Sequence, residues 1–297
     1  MRKMRRWLRR GLSARVEIYS ELVMGISLST QSTSKGALKS LDKTLKNLSS
    51  TLGRLASGVR INSAADDAAG LAISGQLEVS IQASSRAAQN ARDAGSALMV
   101  ADGAVSQVQF LSSRMQELAL QSANGVYSDT QRAALQQEFS SLAQDIQRIS
   151  ENTEFNGQKL LDGTELSVQV GTDGGSNSTM VVGGVNVKAL ASQLSSVDIG
   201  TQSGGQAAID TVRQFSTDLA NQRASKIGAT YNRLEAVGQS LSARSGSESA
   251  ALSAIRDVDF AQETAQLSKY QILSQAGISV LAQANSLNSN VLRLLQG

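Results

Sequence analysis

Two stretches at opposite ends of this chain repeat apolar residues every seven positions. Leu38, Leu41, Leu45, Leu48, Leu52, Leu55 and Val59 recur at alternating steps of three and four. Tyr270, Leu273, Gly277, Val280, Ala284, Leu287, Val291 and Leu294 do the same near the other end. A 3.5-residue spacing places each set on one stripe of a helix, and such a stripe is buried only against other helices. The 297 residues include no proline, where average usage would give roughly fifteen. The commonest helix breaker is therefore missing, which favours long uninterrupted helices. Chain ends ordinarily fray; ends patterned this strongly are expected to be the working part of the molecule.

Composition narrows the chemistry. Aromatics make up only 3%, so Leu and small residues must do the packing, as they do where helices lie close together. No histidine is present, which removes His-based zinc sites and His-containing triads. No cysteine is present either, so there is no disulfide framework or thiolate chemistry, as suits a chain threaded unfolded through an export channel. No catalytic, cofactor-binding or metal-binding residue is therefore singled out. The net charge of +3 is uneven: residues 1–23 carry seven cations against Glu17 and Glu21, leaving −2 for the rest. The basic balance belongs to a short tail, so the body carries no nucleic-acid footprint. No apolar run approaches the ~18 residues of a membrane span, and the tail lacks the apolar core of a secretory signal.

Along the chain, the stripe over 35–59 is flanked by small or mostly uncharged positions (Asp42, Thr44, Ser49, Thr51), which predicts a helix packed among several neighbours rather than a charge-selected zipper. Gly58 and Asn62-Ser63 interrupt it, and Asp66 or Asp67 is placed to cap a second helix over 68–123. There Leu98, Ala101, Val105, Val108, Ser112, Met115 and Ala119 keep the heptad, broadened by Leu111 and Leu118. Asn124-Gly125 stops it, and Asp129 or Thr130 starts a third helix carrying Leu135, Phe139, Leu142, Ile146 and Ile149. Beyond Asn156-Gly157 and Asp162-Gly163 the text turns strand-like at 166–170, 180–182 and 185–187. Helix resumes after Gly204-Gly205, with a break expected at Ser245-Gly246-Ser247 and a final helix from about 250 to 295.

The segment Leu52–Ile73, with its RLASGVRINSAADDAAGLAI text, resembles the N-terminal signature of bacterial flagellin. ELALQSANG (117–125) and TEFNGQKLLDG (153–163) resemble two further flagellin blocks. KIGATYNRLE (226–235), the run 254–285 and NVLRLLQG (290–297) resemble the C-terminal ones. The likeness covers nearly everything from Met24 onward, in order. It departs at Ala65, where the family often has Lys, and near Leu287-Asn288, where it often has Pro; the latter would let the last helix run straighter. Only residues 164–205 fill the space where many flagellins carry variable outer domains, so these are expected to be missing. Residues 1–23 have no counterpart. The preferred reading is an upstream mis-called start, with Met24 or Gly25 the true beginning; the alternative is a genuine basic extension that binds an anionic surface.

The resemblance implies a mainly α fold: a long antiparallel helical rod or coiled coil of paired N- and C-terminal segments with a small β-hairpin element. It divides into 1–23, a terminal assembly domain of 24–67 with 258–297, and an inner rod domain of 68–257 with β-hairpins at about 164–200. It implies a structural, non-enzymatic subunit, exported unfolded by the flagellar type III apparatus, that polymerises into the extracellular flagellar filament for motility. The expected polymerisation seam is Leu38, Leu41, Leu45, Leu48, Leu52, Leu55, Leu273, Val280, Leu287, Val291, Leu292, Leu294 and Leu295. The implied partners are other copies of the chain, an export chaperone at the C-terminal helix, and filament cap and hook-junction proteins. Arg114, Leu118 and Glu138 match positions that contact the Toll-like receptor sensing flagellin, although packing and ion pairing would equally explain them. Neither nucleic acid nor membrane is an expected partner. The alternatives are a hook–filament junction protein and a non-flagellar coiled-coil adaptor.

Overall fold

The computed structural model describes the backbone of residues 34–296 and side chains as far as Ser286; the basic tail and the expected start at Met24 lie outside the described residues. Helix α1 covers 34–57. Then come α2 (Ala68–Ala123), α3 (Asp129–Asn152), strands β1 (Glu154–Phe155), β2 (Gln158–Lys159), β3 (Glu165–Gln169) and β4 (Thr179–Gly183), and helices α4 (Val187–Leu194) and α5 (Gln202–Gln222). A six-residue π-helical segment, Arg223–Gly228, joins α5 to α6 (Ala229–Arg256), and α7 (Phe260–Gln296) closes the chain. The fold resolves into two compact units: the described residues up to Ser74 together with those from Leu252 onward, and Gly75–Ala251.

In the first unit α1 and α7 run antiparallel. Arg54 meets Glu263 at one point, and a Cβ built on Gly277 would lie 3.1 Å from Leu41 Cδ1 at another. Where α1 ends, Gly58 takes φ +71°, a left-handed conformation that glycine adopts without a Cβ penalty. The chain then bridges Val59 to Asp257, with Arg60 N–H donating to the Arg256 carbonyl at 2.6 Å and Val258 N–H to the Gly58 carbonyl at 3.1 Å. Asp67 caps α2, its Oδ1 accepting from Gly70 N–H at 2.8 Å, while Asp66 holds the preceding turn through Asn62 and Ser63. Asp259 caps α7 in the same way, accepting from Ala261 and Gln262 N–H.

In the second unit the core follows the heptad. Leu98, Ala101, Val105, Val108, Ser112, Met115 and Ala119 of α2 are all buried, against Phe139 and Ile146 of α3 and Val212, Phe215 and Leu219 of α5. Helix α3 opens on a capping box in which Ser128 and Gln131 satisfy each other's backbone N–H. Asn156 (φ 50°) and Gly157 (φ 77°) form the two-residue turn joining β1 to β2. Strands β3 and β4 pair antiparallel with Leu166 opposite Val182 and Val168 opposite Met180, so Met180 and Val182 point into the core and Val181 away from it.

Two expectations are corrected. Residues 185–187 do not form a strand: Asn186 caps α4, accepting from Ala189 N–H at 2.9 Å, and Val187, Leu190, Ala191 and Leu194 make one buried helical face. No break occurs at Ser245-Gly246-Ser247 either, and α6 runs on to Arg256. One helix-interior glycine costs only about 1 kcal/mol, and Arg244, Glu248 and Ser80 tie α6 to α2 across this stretch. The helix stops at Asp257–Asp259 instead.

Candidate functional site

The expected seam divides in two when burial is read along the paired termini. Leu41, Leu48 and Leu55 are half-buried, whereas Leu38, Leu45 and Leu52 are 54%, 46% and 48% exposed. The positions completing the buried stripe of α1 are Ala37, Thr44 and Thr51, Thr51 being fully buried. On α7 the matching stripe is Glu263, Tyr270, Ser274, Gly277, Leu281 and Ala284, while Ile272, Leu273, Ile278 and Val280 are exposed. Each helix thus gives its partner in the same chain a seam of small and polar residues alternating with apolar ones, and keeps a second row of large apolar residues one position away. Among the described residues such a row has no neighbour to bury it, and an apolar stripe wants another helix. Leu287, Val291, Leu292, Leu294 and Leu295 have side chains outside the described residues.

Polar contacts set the register of this pair. The Arg54 guanidinium lies 2.6 Å from Glu263 Oε1 and also donates to Ser50 and Thr51. With both charged groups largely removed from water, the pair fixes one alignment of α1 on α7, which apolar seams of repeating composition specify weakly.

In the second unit Arg114 bridges Glu138 at 2.8 Å and Glu117 at 2.9 Å, on a surface that is half open to water. The bond to Glu138, and next that to Glu117, raises the Arg114 pKa. Leu118 is not part of that surface: it is fully buried among the core residues of α2. Of the three residues grouped as a receptor contact, the structure therefore presents Arg114 and Glu138 together and turns Leu118 inward. Among the described residues no helix is long and apolar enough to cross a membrane, and no three acidic side chains converge as a metal site.

The sequence signal for the exposed row was present but ambiguous. A stripe containing both i+3 and i+4 steps is wide enough to serve two neighbours, and which half the chain keeps for itself depends on where α7 packs against α1.

Long paired terminal helices that leave an apolar row exposed among the described residues define a helical protein with surface to bury against further helices. Residues 28–166 match the bacterial flagellin N-terminal helical region and residues 207–295 the bacterial flagellin C-terminal helical region. A flagellin of Halalkalibacterium halodurans is 40% identical over 82% of this chain and 90% of its own length. A flagellin of Bacillus subtilis is 36% identical over 88% of this chain and 97% of its own length. Among solved structures, a flagellar hook-associated protein of Vibrio parahaemolyticus superposes with a TM-score of 0.53 at 16% identity, covering 64% of this chain and 99% of that one; a likeness at this identity speaks for the fold alone. The chain belongs to the bacterial flagellin family. It is a short member, with only residues 167–206 between the two family regions and no outer domains there.

Proposed function

We propose that the exposed rows of α1 and α7 are the seam through which copies of this chain join. As a flagellin, the chain is a structural subunit of the bacterial flagellar filament. The observation that carries the seam is the half-exposure of Leu38, Leu45 and Leu52, which repeat every seven residues on a helix whose other apolar stripe is already used. Burying one leucine side chain yields about 1.5–3 kcal/mol, so a row of three supplies several kcal/mol per contact even when each is only half exposed at the start. A contact between unlike surfaces does not close and generates a helical polymer.

Further partners follow from the same reading. Export in an unfolded state, suited by the absence of cysteine, would need a chaperone that covers the C-terminal helix, since that helix is as apolar as the seam. Capping and hook-junction proteins would meet the filament ends through the same rows. Arg114 and Glu138 offer a charged surface to an innate receptor, with Leu118 acting behind them as packing. Secretion to the extracellular filament completes this reading.

The experiment is negative-stain microscopy of the full chain at rising concentration, wild type against Leu38→Ser/Leu45→Ser/Leu52→Ser. Wild type should give long filaments and the triple variant none at the same concentration, with the helical content of the Gly75–Ala251 unit unchanged. Normal filaments from the triple variant would end the seam proposal, and discrete oligomers from wild type would favour an adaptor. Deleting 258–297 should abolish chaperone retention.

A further inference from the structure

The second unit has an open groove along α2 and α6 and displays a knob, an exposed valine on a rigid loop. The groove, about 570 Å³, lies between α2 and α6 and is lined by Gly95, Met99, Tyr231, Leu234, Gly238 and Ser242, among others. Among the described residues nothing requires glycine at 238: a Cβ built there meets no heavy atom within 4 Å. A glycine in a helix interior costs about 1 kcal/mol relative to alanine; Gly75, Gly103 and Gly246 are as open, but at 238 the open space belongs to the groove. Met99, a large apolar side chain on the groove wall, is 58% exposed. Arg92 stands on the rim, and among the described residues its guanidinium has no ion-pair partner.

The knob is the loop between α2 and α3. Val126 is 86% exposed there, yet its loop is tightly held. Val126 N–H donates to Asn124 Oδ1, Tyr127 Oη accepts from Gln121, and the buried Arg132 donates to the carbonyls of Ser122 and Tyr127. A rigid loop displaying a valine is pre-organised for an apolar socket, since little freedom remains to be lost on docking. Beside it Asp129 has a fully exposed side chain whose ion pair with Arg132 is stretched to 3.9 Å.

We propose that the α2–α3 loop of one subunit docks in the α2/α6 groove of a second copy, with Val126 over Gly95 and Gly238 and Asp129 against Arg92. This rests on the filament reading, and three points select a second copy as occupant. The chain forms a homopolymer. Knob and groove are unlike surfaces, as a non-closing contact requires. The groove lining carries both Arg92 and Glu235, the latter already accepting from Gln239, so the charge left to meet the exposed Asp129 of the knob is that of Arg92. This contact is separate from the leucine rows of the terminal helices.

Two measurements on filaments of the full chain test it. The protein has no cysteine, so a Val126→Cys/Gly238→Cys variant, oxidised as filaments, should give a ladder of disulfide-linked multimers, with no ladder from either single variant. Arg92→Glu or Asp129→Arg should each raise the critical concentration about fivefold or more, as one exposed-to-buried ion pair allows. The double charge exchange should restore it. Filaments without a ladder, or charge variants whose losses add instead of cancelling, would overturn the docking while leaving the filament reading intact. Failure of wild type to polymerise would instead remove the filament reading itself.

Discussion

Arg54 and Glu263 are 209 positions apart in sequence and 2.6 Å apart in space. Their pairing locks the N-terminal helix to the C-terminal one, and it sits where the two helices converge toward the Val59–Asp257 bridge. Leaving either charge without its partner is costly, because the survivor is still largely desolvated. Glu263→Ala should therefore lower the stability of the paired termini by about 2–3 kcal/mol, read as a lower thermal disassembly midpoint of the filament. The isosteric apolar pair Arg54→Met/Glu263→Leu should recover most of that loss. Equal loss in the single and double variants would show that the charges do more than hold register.

How much of this was legible can be judged residue by residue. The core stripe of α2 from Leu98 to Ala119 reads directly from spacing, because a strict heptad on a long helix leaves few alternatives. The split of the terminal stripe was not legible: Leu38 and Leu41 sit on one wide apolar face, and the burial of Thr44 and Thr51 depends on where α7 lies. Val185 and Val187 are β-branched and short, so strand and helix compete evenly until Leu190, Ala191 and Leu194 extend the face. The Ser128-x-x-Gln131 cap was readable, but Asp129 and Thr130 are equally acceptable starts by residue type alone. Val126 and Asp129 as an assembly knob depend on exposure and on the Arg132 clamp, which no local pattern announces.

Gly205 provides a contrast with Gly238. A Cβ at 205 would lie 2.7 Å from Ala123 N and 3.0 Å from Ser122 C, both backbone atoms that cannot rotate away. Gly205→Ala should push the start of α5 off the end of α2 and cost about 1–3 kcal/mol, visible as a lower denaturant midpoint with an unchanged slope. Gly238→Ala, with open space around it, should instead stabilise the monomer by about 1 kcal/mol. If both substitutions stabilise, the close approach of α5 to α2 is wrong.

Arg223 grips Asp102 through two hydrogen bonds, Nε–Oδ1 at 2.7 Å and Nη2–Oδ2 at 2.8 Å. Those bonds hold the Asp102 carboxyl below its ordinary pKa, against a smaller opposing effect of burial. A carboxylate depressed in the folded state contributes its full stability above its unfolded pKa of about 3.9 and loses it as pH falls through the folded value. Asp102→Asn should therefore be less stable than wild type at neutral pH, with the gap narrowing below about pH 4 and closing under stronger acid. Since Asp102 is 40% exposed, solvent screening keeps the neutral-pH gap near or below about 1 kcal/mol. Urea midpoints measured from pH 7 downward decide it; a gap that widens on acidification would contradict the assignment.

The π-helical segment after α5 absorbs one extra residue in an otherwise regular heptad. Gly205, Val212 and Leu219 are buried at steps of seven, and so are Ile227, Leu234 and Leu241, but eight residues separate Leu219 from Ile227. A continuous α-helix through this point would carry the second set off the core face by one position, about 100° around the axis. The wider turn, in which Ala229 N–H reaches back to the Ala224 carbonyl, restores the face. Deleting the exposed Ser225 should let α5 and α6 run as one α-helix with both sets still facing α2, at a net change within about 1–2 kcal/mol. Deleting Asp218, which lies upstream where the heptad is regular, should move Leu219 out of phase with the preceding core residues and unfold the second unit. Circular dichroism and denaturant unfolding of the two deletions separate these outcomes. If they are equally damaging, the π segment is not the place where the heptad takes up its extra residue.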